Sequence, residues 1–401
     1  MYFILPYNAI LDSLSFFTDK GGLLAIIRGA FLLAFAVYII FNSKGRQKVL
    51  VSILLFSVYT LVLVLFSSDP FNSLRFWGKI TVPILYFTVA YNVVKTSRDS
   101  QRLNISLIIV LIIYAITTFY FNFIGVGEKQ YGEDQLMDTG PLGGATFTVF
   151  SYGLLLVPIF IYTKTISKMN ALWLVLVSVF LLLFNLSRMP IMAVMFGYFI
   201  YFIHSYEFRN RYLKFIVFIG LIMIFTSPFY YVILKNQFGI REGRYEVESY
   251  ETEDRFFETK IVFESVFSFK DPIASFFGKE IYNSVGHWGE GRKRGIHVDY
   301  NALLHGAGII GLFLYLLIFY KMWIVYRNAR KRRGFESFKI FNSAFVVIFF
   351  VQFLISVSGQ FYVLTFRTIG FLYLGALLSL INQKNKSTNP QYANNTYIKR
   401  K

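Results

Sequence analysis

Apolar residues run through most of this chain in stretches of about 20, broken by short polar segments, which is the spacing of helices that cross a bilayer. The pattern predicts spans at 21–41, 49–67, 79–94, 105–125, 142–163, 171–186, 190–205, 215–234, 302–320, 340–358 and 368–382. The expected fold class is an all-α polytopic membrane protein with about eleven (ten to twelve) transmembrane helices. Residues 1–20 fit two options, because Met1–Phe17 is apolar enough to insert but is short, broken by Pro6 and carries Asp12. Eleven spans place the N-terminus outside the cytoplasm, whereas a further inserted segment places it inside.

The polar segments alternate in character. Lys44, Arg46 and Lys48; Lys95, Arg98 and Arg102; Lys164 and Lys168; Arg209, Arg211 and Lys214; the run Arg327, Arg330, Lys331, Arg332, Arg333; and the tail with Lys384, Lys386, Lys399, Arg400 and Lys401 all fall on one side. Segments of opposite parity are poorer in base, and the stretch from Gly127 to Gly140 is acidic, with Glu128, Glu133, Asp134 and Asp138 against Lys129. The insertion bias makes the basic side cytoplasmic, the C-terminus included.

The chain then divides into an N-terminal bundle of about eight spans (1–234), one large loop on the far side (235–300), three C-terminal spans (301–382) and a basic tail (383–401). Loops as long as 235–300 are functional or disordered. Within it Arg255–Phe267 carries Phe256, Phe257, Ile261, Phe263, Val266 and Phe267 among Glu258, Lys260 and Glu264, which predicts an amphipathic helix lying on the bundle and ending before Pro272.

Composition sharpens this picture. Of 401 residues, 56% are hydrophobic and 15% charged, against about 25% charged in soluble domains. A net charge of +18 would suit a nucleic-acid binder if the basic residues gathered on a soluble face; they sit between apolar runs instead, so no nucleic acid is expected as a partner. Cysteine is absent and histidines number four, so no disulfide framework or thiolate site exists and no metal cluster is expected. There is no Walker loop, nucleophile elbow or paired-histidine zinc signature.

Chemistry is therefore sought among charged residues inside the spans, each costing about 2.5–3.5 kcal/mol at a helix centre. Arg28 lies in the first span, about 10 Å along it. Its fork could grip a pyrophosphate through bidentate hydrogen bonds, or it snorkels or pairs with a carboxylate. Arg188, in Asn185–Pro190, separates two runs whose length of about 24 Å is short of a core of about 30 Å. That predicts a sunken hairpin tip with a cation at its base, unless both helices extend through Lys168 and Glu207. Where the large loop meets the next span, His297, Asn301, His305 and Gly308 would share one helical face, with Asp299 beside them. Gly308 and Gly311 would admit a close neighbour.

Taken in order, the Ser187–Arg188 hairpin, the long loop with Arg255, the Gly278 turn after Asp271–Pro272, and His297-x-Asp299 leading into Gly308-x-x-Gly311-Leu312 resemble the O-antigen polymerase and ligase superfamily. The motif resemblance covers about residues 180–320, and span count and loop placement extend it to the whole chain. It implies a metal-independent membrane glycosyltransferase of GT-C-like architecture, without cofactor, in the bacterial inner membrane. Its substrates would be undecaprenyl-pyrophosphate-linked repeat units, joined at the periplasmic face among membrane lipids. A chain-length regulator and a flippase are the protein partners such a system allows. The polymerase reading comes first and the ligase, which transfers glycan to the lipid A core, second. On that resemblance Arg188 offsets leaving-group charge with Arg28 and Arg255 binding substrate; His297 and Asp299 serve the acceptor hydroxyl, and Asn301 and His305 line the site. A flippase of lipid-linked oligosaccharide is the competing class; transporters show internal repeats and interrupted spans, and neither is evident in the sequence.

Overall fold

The computed structural model describes residues 1–14, 22–43, 48–125, 147–185, 188–204, 235, 254–282, 286–287, 293–333, 339–357 and 363–382. Among them are thirteen helices and one short antiparallel strand pair. The helices are α1 (Ile4–Leu14), α2 (Gly22–Asn42), α3 (Lys48–Leu65), α4 (Pro70–Val93), α5 (Ser97–Phe123), α6 (Thr148–Tyr162), α7 (Lys168–Asn185), α8 (Arg188–His204), α9 (Asp254–Phe267), α10 (Pro272–Phe277), α11 (Asp299–Arg333), α12 (Lys339–Ile355) and α13 (Leu364–Asn382). Strand β1 (Gly286–His287) pairs with β2 (Lys293–Arg294). Ten of the eleven expected segments coincide with helices. The expected span 215–234, the acidic stretch 127–140 and the tail 383–401 lie outside the described residues.

Three helices, Ser97–Phe123, Asp299–Arg332 and Leu364–Asn382, are long and apolar enough to cross a membrane, and shorter apolar helices surround them. This is the make-up of a helical, membrane-embedded protein. Helix α13 is the central column: its apolar window is buried on all sides, and it packs on α4 most extensively and also on α12, α11, α1, α6 and α5. A helix apolar all round can be accommodated only in such a place.

Local signals set the helix starts, and two of them correct the expected limits. Pro70 fits the first turn, where its missing N–H costs nothing, and the Asp69 carboxylate accepts the Asn72 N–H at 3.1 Å. Helix α4 therefore begins at Pro70 rather than at 79, and Arg75 and Lys79 lie inside it. Helix α13 begins at Leu364 rather than at 368, which brings Arg367 inside as well. At α5, Thr96 and Asp99 form a reciprocal capping box.

Polar contacts mark two ends of the bundle. At one, Asn92 Nδ2 donates to Ser43 Oγ at 2.8 Å, Lys95 Nζ to Ser379 Oγ at 3.3 Å, and Asn382 Nδ2 to Tyr91 OH at 2.5 Å. These residues adjoin the basic segments, so this is the basic end. At the other, the loop end, the Glu280 carboxylate accepts from Ser67 Oγ at 2.7 Å and Ser68 N at 2.9 Å, Ser73 Oγ donates to the Ile281 carbonyl, and Asp299 N donates to the Ser356 carbonyl. Helix α1 rises from the basic end, where Tyr2 OH donates to Asp99 Oδ1 at 3.1 Å. With 11 residues it is about 16 Å long, roughly half of a hydrocarbon core.

The interrupted span absent from the sequence reading is present in α11. Gly308, nine residues past the start of α11 at Asp299, sits at φ 65°, ψ −168°, a region essentially restricted to glycine. The break releases carbonyls that helix hydrogen bonds would otherwise occupy: His305 O accepts Lys279 N at 2.8 Å and Ala307 O accepts Tyr59 OH at 2.8 Å. It also admits the turn after α10. A Cβ on Gly308 would stand 2.3 Å from the Phe276 carbonyl oxygen, and one on Gly278, itself at φ 87°, would stand 2.3 Å from the Gly306 backbone.

The amphipathic loop helix forms as expected, but with a different face inward. In α9 the buried residues are Glu258, Val262 and Val266, while Phe256, Phe263 and Phe267 are exposed. Glu258 can be buried because its carboxylate accepts His297 N at 2.9 Å, Val298 N at 3.0 Å and Asn301 Nδ2 at 3.2 Å. It thereby satisfies backbone donors at the start of α11, where the helix dipole also favours an anion.

Candidate functional site

Charged side chains inside an apolar bundle need partners or a purpose, and the described residues contain two such groups in the half of the bundle near the loop end. The first is built around Asp12. Its Oδ1 accepts from Arg28 Nη1, while its Oδ2 accepts from Tyr114 OH at 2.7 Å and from Thr365 Oγ1. Thus α1, α2, α5 and α13 converge on one carboxylate. Of the readings offered for Arg28, pairing with a carboxylate is the one seen.

Helix α4 adds two more cations to this group. Arg75 and Lys79 are half-buried and one helical turn apart on α4, which packs against α2, the helix that carries Arg28. Neither Arg75 nor Lys79 forms an ion pair among the described residues. The Nε atoms of Arg28 and Arg75 are buried there without a hydrogen-bond partner, and Lys79 Nζ lies 5.2 Å from the centre of the Phe76 ring. Among the described residues Arg28, Arg75 and Lys79 therefore stand against one carboxylate, Asp12, which is already engaged. Chemically this set of donors suits an anion carrying several acceptor oxygens, to which arginine forks and an ammonium are complementary.

The second group is compensated. Arg367 and Asp299, each 1% exposed in its side chain, pair at 2.7 Å, and Arg367 Nη2 also donates to Tyr315 OH at 2.6 Å and Ser356 Oγ at 3.3 Å. Helices α11, α12 and α13 are joined here. Thr365 and Arg367 lie two residues apart on α13, so the two groups share one turn of the central column.

The residues singled out by sequence are distributed differently from the expected stripe. His297 precedes α11, its ring is exposed, and Nδ1 lies 2.9 Å from the Gly295 carbonyl oxygen. Asp299 opens the helix but points inward to Arg367. Asn301 is buried against Glu258 and Thr259, its Nδ2 donating to Thr259 Oγ1 at 2.8 Å. His305 is half-buried, and helical geometry ends at Gly308. The stripe is thus interrupted at both ends, with His297 and Asp299 on different sides of the chain. Arg188 is the first residue of α8 and Arg255 the second of α9; both side chains lie outside the described residues.

Sequence reasoning missed Arg75, Lys79, Arg367 and Tyr315, and treated Asp12 only as an obstacle to insertion. The signal for Arg75 and Lys79 was present: a proline after an aspartate opens a helix, which moves Arg75 from loop to span and Lys79 from the span's first residue to its interior. Among the described residues no three His, Asp or Glu side chains converge as metal ligands. No protein-family model matches the chain, and a search of curated proteins finds no match.

Proposed function

We propose that this chain is a polymerase of lipid-linked glycan repeat units, of the O-antigen type, working at the periplasmic face of the bacterial inner membrane with its C-terminus cytoplasmic. The observation that carries this reading is the excess of cations at Arg28, Arg75 and Lys79, set about 7 to 14 Å inside helices counted from the loop end. A polyprenyl pyrophosphate places its charge at that depth, with its chain among lipids and its sugar at the rim. The resemblance in the large loop supports the same substrate class.

In the proposed reaction an acceptor hydroxyl of one lipid-linked repeat attacks the anomeric carbon of the growing chain. A glycosidic bond forms, the bond from that carbon to the pyrophosphate oxygen breaks, and polyprenyl pyrophosphate leaves with the electron pair. Arg28, Arg75, Lys79 and, from the sequence pattern, Arg188 offset the charge that develops on the leaving group. His297, exposed at the rim, takes the hydroxyl proton. Asp299, held by Arg367, is a positioning residue that fixes the start of α11. Charge stabilisation by these side chains leaves no step that requires a divalent cation.

One observation favours a second reading, a flippase: the break at Gly308, since transporters build their sites on interrupted helices. Purified protein supplied with lipid-linked repeats separates the two. Elongated product formed in the presence of EDTA is expected, and Arg75→Ala or Lys79→Ala should lower its rate by about a hundredfold, the scale of a lost transition-state donor. Because neither side chain is ion-paired among the described residues, melting temperature should hold or rise in both variants. Translocation without elongation, or full elongation by both variants, overturns the polymerase reading of this site.

A further inference from the structure

We infer that the α9–α10 hairpin of the large loop is a lipid-facing wedge, seated in the outer leaflet against the break in α11, with phospholipid as its occupant. The hairpin turns Phe263, Phe267, Phe269, Ile273, Phe276 and Phe277 outward, Ile273 being 74% exposed. They include two ring pairs: the rings of Phe263 and Phe267 lie 5.3 Å apart and those of Phe269 and Phe276 lie 5.9 Å apart. A patch of this kind on a protein marks an interaction surface.

Depth identifies the occupant. The Phe276 carbonyl packs against Gly308, and the neighbouring Ala307 carbonyl accepts the Tyr59 hydroxyl. Tyr59 precedes the end of α3 at Leu65 by six residues, about 9 Å along the helix. Side chains lean toward a helix N-terminus, here the basic end, so the Tyr59 hydroxyl is no shallower than its own Cα. The end of α10 therefore sits well inside the rim, level with outward-facing apolar residues of α3 such as Val58 and Val62. At that level the surroundings are acyl chains, and the backbone must be satisfied internally; it is, through Gly278 N to Ala274 O and Lys279 N to His305 O, both at 2.8 Å.

Helix α9 slopes down to this level. Its Glu258 end is fixed to His297 and Val298 above the start of α11, and its far end is joined to α10 by Ser275 Oγ donating to the Val266 carbonyl at 2.6 Å. Along α9 and the turn that follows it lies a groove of about 820 Å³, lined by Phe263 and Phe267 and by Lys270 and Lys279 together with Glu264 and Asp271. Aromatic walls with a lysine-bearing edge suit a lipid whose chains lie inward and whose phosphate meets ammonium groups.

The natural absence of cysteine permits a direct test in the full chain. Spin labels on Ile273→Cys and Phe277→Cys, in proteoliposomes of phosphatidylethanolamine and phosphatidylglycerol, should relax more with oxygen than with a water-soluble nickel chelate. A label on Lys260→Cys should show the reverse. Photolabelling of the unmodified chain by a phospholipid carrying a diazirine in its acyl chain should mark 263–277 as it marks α3, whether or not the variants fold. Nickel access at 273 and 277 overturns the wedge, as does labelling of α3 without 263–277. Shielding of both labels from both relaxants shows a protein partner or second copy there instead, and equally overturns it. None of these readings involves glycan transfer, so the wedge and the polymerase proposal fail separately.

Discussion

Asp299 and Arg367 illustrate how a buried pair is specified by geometry rather than by sequence proximity. Moving both charges from water is expensive, and the pair persists because Tyr315 and Ser356 take up further donors of the guanidinium. Truncating one partner leaves the other charged and unsatisfied. Arg367→Met should therefore destabilise the protein by about 3–5 kcal/mol. Asp299→Asn should cost a similar amount, and the double variant clearly less than the sum of the singles. Denaturant titration of the four chains in mixed micelles measures this coupling; additive losses would mean that the two side chains do not depend on each other. The cycle also decides how transfer assays of Asp299→Asn are read, since activity lost at matched folded protein reports lost positioning of the start of α11, and lost protein reports only folding. The sequence pointed to Asp299 because it stands beside His297 where the loop meets a span. It could not point to the partner, which lay one residue outside the expected span and 68 positions away.

At the scale of elements, helix positions were legible because a span must be apolar over about 20 residues, whereas helix starts and inward faces depend on a few polar atoms. Helix α9 was visible in the pattern of its phenylalanines, yet its buried stripe runs through Glu258, because three donors from the start of α11 outweigh the cost of burying one carboxylate. The break in α11 was hidden for a similar reason: a glycine in an apolar run reads as a packing site, and only the loop inserted against it shows that φ must be positive. Gly308→Ala combines that strain, about 1–3 kcal/mol, with a Cβ placed 2.3 Å from the Phe276 carbonyl oxygen. The expected result is a lower melting temperature together with faster proteolysis within 254–282, as α10 is pushed from its seat. Alanine tolerated at 308 with unchanged protease resistance would show that the loop is held elsewhere, by Glu258 and Glu280 alone.

On the scale of the whole molecule, the described residues place Lys95, Arg98 and Arg102 at one end of the bundle, and residues 254–282 and the cation-rich group toward the other, so the distribution of lysine and arginine bears on both the insertion direction and the placement of the proposed site. Positively charged segments stay cytoplasmic because they resist translocation. Among the described residues, the cations that face the bundle interior, Arg28, Arg75, Lys79 and the paired Arg367, are a separate population near the loop end. If the bias sets the direction, the large loop is periplasmic and Arg327–Arg333 cytoplasmic. Single cysteines at exposed Lys260 and Lys331 test this in intact cells with a membrane-impermeant maleimide. Lys260→Cys should react without treatment, and Lys331→Cys only once the inner membrane is permeabilised, with equal final labelling confirming that both sites are accessible in the folded chain. The reverse pattern would turn the cation group toward the cytoplasm and remove the periplasmic polymerase reading along with the orientation, while leaving the internal contacts of the bundle unchanged.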